Sequence, residues 1–266
     1  MSVAGEWDDG RGLVVFIHGL WMNASSWDPW AEEFDGNGYD SITYRWPGET
    51  TAPDRQQILE TVRVRDLTEQ LTGIIGTLGR PPIAIGHGIG GLLAQVLVGQ
   101  GSVSAAISLT SVPRGLPVAT AAVRLTRNSP GLAWATTRAR PVTPSLTRFE
   151  EAVANSVPAP EARRLFDQYA MTAHPRPLMR SLIRPTVPPR CGDHERRVPL
   201  LLIAAGRDKL VNEASVGALH RRYRRKEPDA VTDYKVFPDR AHSLIVDSGW
   251  HAVGYYCLDW LTANGL

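Results

Sequence analysis

The stretch Ile83-Ala84-Ile85-Gly86-His87-Gly88-Ile89-Gly90-Gly91 joins a short apolar run to a turn with four glycines. Apolar residues at every position of the run indicate a strand that is buried on both faces, as in a parallel sheet. The apolar residues after the turn indicate a buried helix over 89–98. A strand, a tight glycine turn and a helix therefore follow one another directly.

The turn has the pattern of a nucleophile elbow, Gly-x-Ser-x-Gly, except that Gly88 stands where the serine would be. The flanking Gly86 and Gly90 are expected, because side chains there would collide with the neighbouring strand and helix. Gly88 has no side chain, so no acyl-enzyme can form at this position. No Cys or Asp lies within the turn to replace a serine.

Strands and helices alternate on both sides of this turn. Apolar runs predict strands at 13–17, 83–85, 105–109 and 200–204, and two further strand candidates lie at 41–46 and 232–237. Helical spacing predicts helices over about 55–78 and 89–98, one reaching about 219, and a last one ending at 261. This order predicts an α/β fold with a doubly wound, mostly parallel sheet.

Residues 113–190 differ in composition from the rest of the chain. They contain twelve prolines, twelve arginines and no lysine, but only four acidic residues. So much proline excludes a central strand and favours short helices. We therefore predict an α/β core of residues 1–112 and 191–266, and a helical, Arg/Pro-rich lid of residues 113–190. The lid would cover the carboxyl ends of the strands, where such sheets bind ligands.

Four motifs, in this order, resemble those of the α/β-hydrolase superfamily, especially its lid-bearing bacterial members. They are His18-Gly19-Leu20-Trp21, the turn at 86–91, Gly206-Arg207-Asp208-Lys209-Leu210-Val211 and Asp239-Arg240-Ala241-His242-Ser243-Leu244. The resemblance implies the α/β-hydrolase fold, with the lid inserted after the sixth strand, here at 105–109.

The resemblance also implies that Asp208 and His242 are a catalytic acid and base, since the chain order elbow, acid, histidine is that of the fold. No Asp or Glu occurs between Glu69 and Glu150, so no carboxylate follows the strand at 105–109. Asp208 is then the only well-placed acid. Two structural alternatives stay open: Asp208 as a residue of a helix N-terminal turn, and His242 as a structural loop histidine.

The remaining site residues lie beside the turn and in the His18 motif. The backbone N–H groups of Leu20 and Ile89 are expected to form an oxyanion hole, with Trp21 in reserve. Trp21 and His18 are expected at the substrate, where His18 orients the loop. By strand alternation, His87 is expected to point away from the pocket.

A nucleotide-binding interpretation of the glycine turn is weaker. Gly86, Gly88 and Gly91 match the Gly-x-Gly-x-x-Gly spacing, but the acidic residue expected about twenty positions later is absent. The histidines show no metal-ligand spacing. We predict neither a cofactor nor a metal ion.

Three functions fit these residues. The first is an enzyme that acts on a small, largely apolar carbonyl compound (an ester, lactone or polyketide-like molecule) through general-base chemistry of His242 and Asp208. It would be a lyase, cyclase, isomerase or direct water hydrolase. The second is a serine esterase whose serine has been replaced at Gly88. The third is an inactive ligand-binding pseudo-hydrolase, against which the retained Asp208 and His242 count.

Composition limits the partners. A net charge of +2 gives no reason to expect nucleic acid or an anionic membrane, and no uninterrupted apolar run is long enough to span a bilayer. The start of the sequence lacks the features of a secretory signal, and the two cysteines form no framework. We predict a cytoplasmic protein, monomer or homodimer, that binds a small-molecule substrate, with no nucleic-acid or membrane partner.

Overall fold

The computed structural model describes residues 12–47, 49, 61–111, 143–173 and 197–266. Six strands form one sheet in the order β2-β1-β3-β4-β5-β6, and every neighbouring pair is parallel. The strands are β1 Gly12–Ile17, β2 Tyr39–Tyr44, β3 Ile83–His87, β4 Ala105–Leu109, β5 Leu200–Ala205 and β6 Thr232–Phe237. Every residue of β3, β4 and β5 is buried, as expected for strands covered on both faces.

Helices connect the strands and cover the sheet. They are α1 Asp28–Gly36, α2 Val64–Ile75, α3 Ile89–Gln100, α4 Leu146–Ala152, α5 Ala159–Tyr169, α6 Glu213–Lys226 and α7 Trp250–Ala263, with a 3₁₀ turn at Ala24–Trp27. Helix α1 was not predicted from the sequence. Across the described residues, no helix has the length and apolarity needed to cross a membrane.

The loops that carry the predicted site residues share one edge of the sheet. The chain leaves β1 into His18, leaves β3 into Gly88, and reaches Asp208 three residues after β5. Because parallel strands present their carboxyl ends at the same edge, these loops are brought together. The backbone N–H of Gly88 donates to the carbonyl of Leu109 at 2.9 Å, which ties the turn to the end of β4.

Helices α4 and α5 belong to the segment that was predicted as a lid. This segment follows β4, the strand at Ala105–Leu109 to which the resemblance gives the number six, and its role as a lid stays a prediction. Only residues 143–173 of the predicted lid lie within the described part of the chain. Their apolar side chains, including Phe149 and Tyr169, are buried with those of the main core.

An aromatic cluster lies beneath the loop that follows β1. The rings of Phe16 and Trp27 stack with centroids 4.9 Å apart, and Trp27 and Trp30 meet edge to face at 5.2 Å. The indole N–H of Trp30 donates to the carbonyl of Ile245 at 2.8 Å. Helix α1 is therefore bonded to the loop that contains His242.

Candidate active site

The turn after β3 has the backbone geometry of a nucleophile elbow. Gly88 has φ 56° and ψ −114°, a conformation that residues with side chains adopt rarely. A methyl group at Gly86 would lie 2.2 Å from the carbonyl oxygen of Gly90, and one at Gly90 would lie 2.0 Å from the carbonyl oxygen of Ile17. The expected collisions at these two flanking glycines are confirmed.

His242 and Asp208 form a buried pair. The Nδ1 atom of His242 lies 2.7 Å from Oδ2 of Asp208, and the two residues are 5% and 6% exposed. The other carboxylate oxygen, Oδ1, accepts the backbone N–H groups of Leu210 at 2.7 Å and Val211 at 2.8 Å. With the carboxylate held in this way, Nδ1 of His242 carries the proton and Nε2 is left as a proton acceptor.

The Nε2 atom of His242 faces Gly88. A methyl group at Gly88 would lie 3.4 Å from Nε2, 3.6 Å from Cε1 of the same ring and 3.7 Å from the Cα atom of Gly19. These are ordinary contact distances, so a side chain would meet no obstacle in the pocket. A hydroxyl group on that carbon would come within hydrogen-bonding distance of Nε2.

The two predicted oxyanion donors each follow a residue at this space, since Leu20 comes after Gly19 and Ile89 after Gly88. Ile89 is the first residue of α3, so its N–H has no partner within the helix and stands at the positive end of the helix dipole. Leu20 follows Gly19 in the loop of residues 18–24, which we call the His18 loop. Trp21 in this loop has φ 66°, an uncommon conformation for a bulky residue, and its indole is almost fully buried.

Glu49 is a site residue that the sequence analysis missed. Its Oε2 lies 3.3 Å from Nε2 of His18, and it accepts the backbone N–H groups of Ala24 and Trp46. Burial acts to raise the pKa of Glu49, but the His18 ring and these two N–H groups outweigh it, so the pKa is lowered. No spacing along the chain connects positions 18 and 49, which is why sequence reasoning did not find the pair.

The His18 ring is buried against this carboxylate. It stacks on Trp46 with centroids 4.9 Å apart, and its Nδ1 lies 3.0 Å from the carbonyl oxygen of Gly19. The arrangement fits the expected role of orienting the loop. Contact of His18 or Trp21 with a substrate stays a prediction.

His87 contacts the predicted catalytic histidine, which strand alternation did not predict. Its ring lies 4.4 Å from that of His242, between centroids, and its Nε2 donates to the His242 backbone carbonyl at 2.9 Å. Burial, and then the nearby rings of His242 and His18, lower the pKa of His87 well below its ordinary value. His87 is therefore neutral, and its one N–H supports the backbone of the residue it packs against.

The segment with α4 and α5 is hydrogen-bonded to three of the four loops of the site, those of His18, Asp208 and His242. It accepts from the N–H groups of Ser243 and Ala241 on either side of His242, and it donates to the carbonyl of Arg207 before Asp208. The bonds are Ser243 N to Val153 O at 2.9 Å, Ala241 N to Ser156 Oγ at 3.1 Å and Asn155 Nδ2 to Arg207 O at 2.9 Å. Two more, Met171 N to Trp21 O and Asn23 N to Tyr169 O, reach the His18 loop.

No group of three or more His, Cys, Asp or Glu side chains within the described residues is arranged to hold a metal ion. The polar groups that converge on the edge of the sheet are instead suited to moving a proton at His242 and binding negative charge at backbone N–H groups.

Comparison with known proteins supports the same fold. The sequence profile of the alpha/beta hydrolase family matches residues 14–253. No curated protein sequence matches the chain.

Several solved structures are similar over nearly the whole chain. Polyneuridine aldehyde esterase is 14% identical with a TM-score of 0.68, and the match covers 93% of this chain and 98% of the esterase. A monoacylglycerol lipase from Paleococcus ferrophilus is 19% identical with a TM-score of 0.66, covering 96% of this chain and 95% of the lipase. A methylesterase from Arabidopsis is 18% identical with a TM-score of 0.68, covering 94% of this chain and 98% of the methylesterase.

At these identities the likeness shows the fold, which is the α/β-hydrolase fold that the four sequence motifs implied. The family match covers most of the chain and includes the turn after β3 together with the Asp208 and His242 loops. This chain belongs to the alpha/beta hydrolase family.

Proposed function

We propose that this chain is an enzyme that acts on a small, largely apolar carbonyl compound without a covalent intermediate. His242 would be the general base, and Asp208 would hold its ring and proton in place. The observation that carries the proposal is the buried 2.7 Å bond between His242 and Asp208, with Nε2 directed at the space above Gly88. A buried, fully oriented pair of this kind is suited to proton transfer and has no evident structural role.

In the simplest reaction, water is the nucleophile and an ester is the substrate. A water molecule above Gly88 would give a proton to Nε2 of His242 while its oxygen bonds to the carbonyl carbon. The bond to the leaving alcohol then breaks, and the proton passes from His242 to that alcohol oxygen. The products are a carboxylic acid and an alcohol, and no bond to the protein forms.

The backbone N–H groups of Leu20 and Ile89 would bind the negative charge that develops on the carbonyl oxygen. General-base catalysis contributes about 10²–10⁴-fold in rate, and each oxyanion donor contributes about 3–4 kcal/mol to stabilising the transition state. The same groups could stabilise an enolate in an elimination, cyclisation or isomerisation. The ester is favoured because solved structures that are similar to this chain include esterases and a lipase.

Residues 113–190 are proposed to act as the lid of this site. The described part of the segment supports this, since it is bonded to the His242, Asp208 and His18 loops. Trp21 is proposed to contribute apolar surface to the substrate pocket.

A second candidate function is that of a serine esterase whose nucleophile has been replaced by Gly88. The distances around Gly88 favour it, because a Cβ atom there would lie at ordinary contact distance from the His242 ring. An inactive binding protein is less well supported, because it would have no use for an oriented base.

The test compares the chain with its His242→Gln, Asp208→Asn and Gly88→Ser variants on short-chain p-nitrophenyl esters. Labelling with a fluorophosphonate, which reacts with activated serines, is measured in parallel. We expect the unaltered chain to hydrolyse an ester without being labelled, and His242→Gln to lose about 10²–10⁴-fold in rate. His251→Gln is the matched control, because His251 is exposed on α7.

Other outcomes separate the candidates. Turnover and labelling only in Gly88→Ser would favour the serine esterase and contradict the proposed non-covalent reaction. Turnover that is insensitive to His242→Gln would remove the base from the mechanism.

A further inference from the structure

A single carboxylate contacts both ends of the His18 loop. At the start of the loop, Nε2 of His18 lies 3.3 Å from Oε2 of Glu49. At its end, the backbone N–H of Ala24 donates to Oε1 of the same residue. Oε2 also accepts the backbone N–H of Trp46 at 3.2 Å, which ties the carboxylate to the segment after β2.

The position of this carboxylate is strongly determined. The Glu49 side chain is 8% exposed and the His18 side chain 0% exposed, so the pair meets almost no solvent. A buried carboxylate is tolerated only where donors surround it, and hydrogen bonds to an ionised group are shorter and stronger than those between neutral groups. The Glu49 carboxylate therefore restrains the positions of the His18 ring and of the backbone N–H groups of Ala24 and Trp46.

The Glu49–His18 pair resembles the Asp208–His242 pair in its construction. In each, one imidazole nitrogen faces a buried carboxylate oxygen and two backbone N–H groups fix the carboxylate. The two pairs differ in what the histidine faces. His242 Nε2 points at the space above Gly88, whereas the His18 ring is enclosed by Glu49 and Trp46.

We propose that Glu49 is a positioning residue for the oxyanion hole. By holding His18 and Ala24, it sets the path of the loop between them and so aims the N–H of Leu20 at the carbonyl oxygen of a substrate. The uncommon φ of 66° at Trp21, the residue after Leu20, is the conformation that this restraint maintains. The inference rests on the proposed function insofar as that function uses the oxyanion hole.

Replacing the Glu49 carboxylate should weaken binding of a negatively charged oxygen in the oxyanion hole more than binding of a neutral substrate. Glu49→Gln keeps the size of the side chain but offers one acceptor oxygen in place of two, so one of its bonds to Ala24, Trp46 and His18 is lost or reversed. A displaced donor no longer lies in the place that a developing oxyanion occupies, and errors of this kind lower rates by up to about 10²-fold. Binding of a neutral substrate uses the same pocket without this requirement.

The experiment measures kcat and KM on the ester, and the Kd of an alkyl phosphonate monoester, a tetrahedral anion that needs no covalent bond. For Glu49→Gln we expect kcat to fall about 10- to 100-fold, KM to stay within about twofold, and the phosphonate Kd to rise by a factor similar to the fall in kcat. His18→Asn, which removes the other partner, should act in the same direction and serves if Glu49→Gln does not fold.

Asp66→Asn is the matched control, because Asp66 also accepts a backbone N–H, that of Arg63 at 2.9 Å, but at the start of α2. It should leave kcat and the phosphonate Kd unchanged. If Glu49→Gln raised KM by the same factor by which it lowered kcat, or changed neither constant, the inference would be overturned. Failure of the unaltered chain to bind the phosphonate would overturn it as well.

The two proposals fail in different ways. If the unaltered chain binds the phosphonate in a Glu49-dependent manner but hydrolyses no ester, the hydrolytic function fails and the positioning role stands. If His242→Gln abolishes turnover while Glu49→Gln has no effect on kcat or Kd, only the positioning role fails.

Discussion

At the scale of single residues, Gly88 occupies a conformation in which glycine is favoured for the backbone alone. A residue with a side chain held at φ 56° and ψ −114° is strained by about 1–3 kcal/mol. An elbow that carries serine must tolerate this strain, because its chemistry depends on the hydroxyl. With glycine the strain is relieved, and no side chain stands between the backbone of residue 88 and Nε2 of His242.

Introducing a side chain at Gly88 should therefore lower stability whether or not it restores chemistry. We expect Gly88→Ser and Gly88→Ala each to lower the free energy of unfolding by about 1–3 kcal/mol, measured by urea denaturation. Gly36→Ala is the control, because a methyl group there meets nothing within 4 Å and Gly36 has no positive φ. Unchanged stability in both Gly88 variants would mean that the elbow relaxes.

At the scale of elements, the close approach of α3 to β1 depends on Gly90. A methyl group there would lie 2.0 Å from the carbonyl oxygen of Ile17, an atom of the sheet that cannot move aside. We expect Gly90→Ala to destabilise the protein by on the order of 3 kcal/mol, as in severe overpacking.

Gly73→Ala provides the opposite case within another helix. Gly73 lies in the exposed interior of α2 with open space around it, so alanine should stabilise by roughly 0.5–1 kcal/mol. Thermal unfolding of the two variants compares them directly. Equal effects of the same sign would contradict this account of the α3–β1 contact.

The strands of the sheet and the glycine turn at 86–91 could both be predicted from the sequence. A central parallel strand is a largely apolar run with turn residues at its ends, and the prediction for 105–109 agrees with β4 to the residue. The prediction for 232–237 agrees with the edge strand β6 to the residue as well. The turn at 86–91 could be recognised because its glycines are required by local contacts. Buried strands and tight glycine turns can be predicted because their signals lie in consecutive residues.

Helix α1 was missed although its signal is local, and two contacts between distant positions were missed because they have none. Helix α1 begins at the pair Asp28-Pro29 and buries Trp30 and Phe34, a spacing that would have indicated it. The bond between Glu49 and His18 has no such signal, since the residues lie on different loops. The contact of His87 with His242 joins β3 to a loop 155 positions later in the chain.

At the scale of the whole molecule, the buried His87 makes stability depend on pH. Its pKa is lowered well below the ordinary value of 6.5 in the folded protein, by burial and then by His242 and His18. Below pH 6.5 the unfolded chain binds a proton that the folded protein does not. The free energy of unfolding should then fall as pH decreases toward the folded pKa, by up to about 1.4 kcal/mol per pH unit from this group.

Comparison with His87→Gln isolates this contribution, because glutamine does not titrate and can still donate to the His242 carbonyl. In urea denaturation, the difference in the free energy of unfolding between the two proteins should be constant above pH 7. Below about pH 6.5 the unaltered chain should lose more stability than the His87→Gln variant. His251→Gln, at an exposed position, should run parallel to the unaltered chain. A difference independent of pH between His87→Gln and the unaltered chain would contradict the assignment.

The position of β4 in the sheet has a consequence for how the chain folds during synthesis. Strand β4 ends at Leu109 and its partner β5 begins only at Leu200, so the ribosome must produce the whole intervening segment first. Until then, an N-terminal unit of β2, β1, β3 and β4 would expose the unpaired backbone edge of β4, a surface that invites association with other chains. Strand β5, which pairs with this edge, is followed within 40 residues by Asp208 and His242, so the edge of β4 is covered and the Asp208–His242 pair is completed in the same late stretch of synthesis.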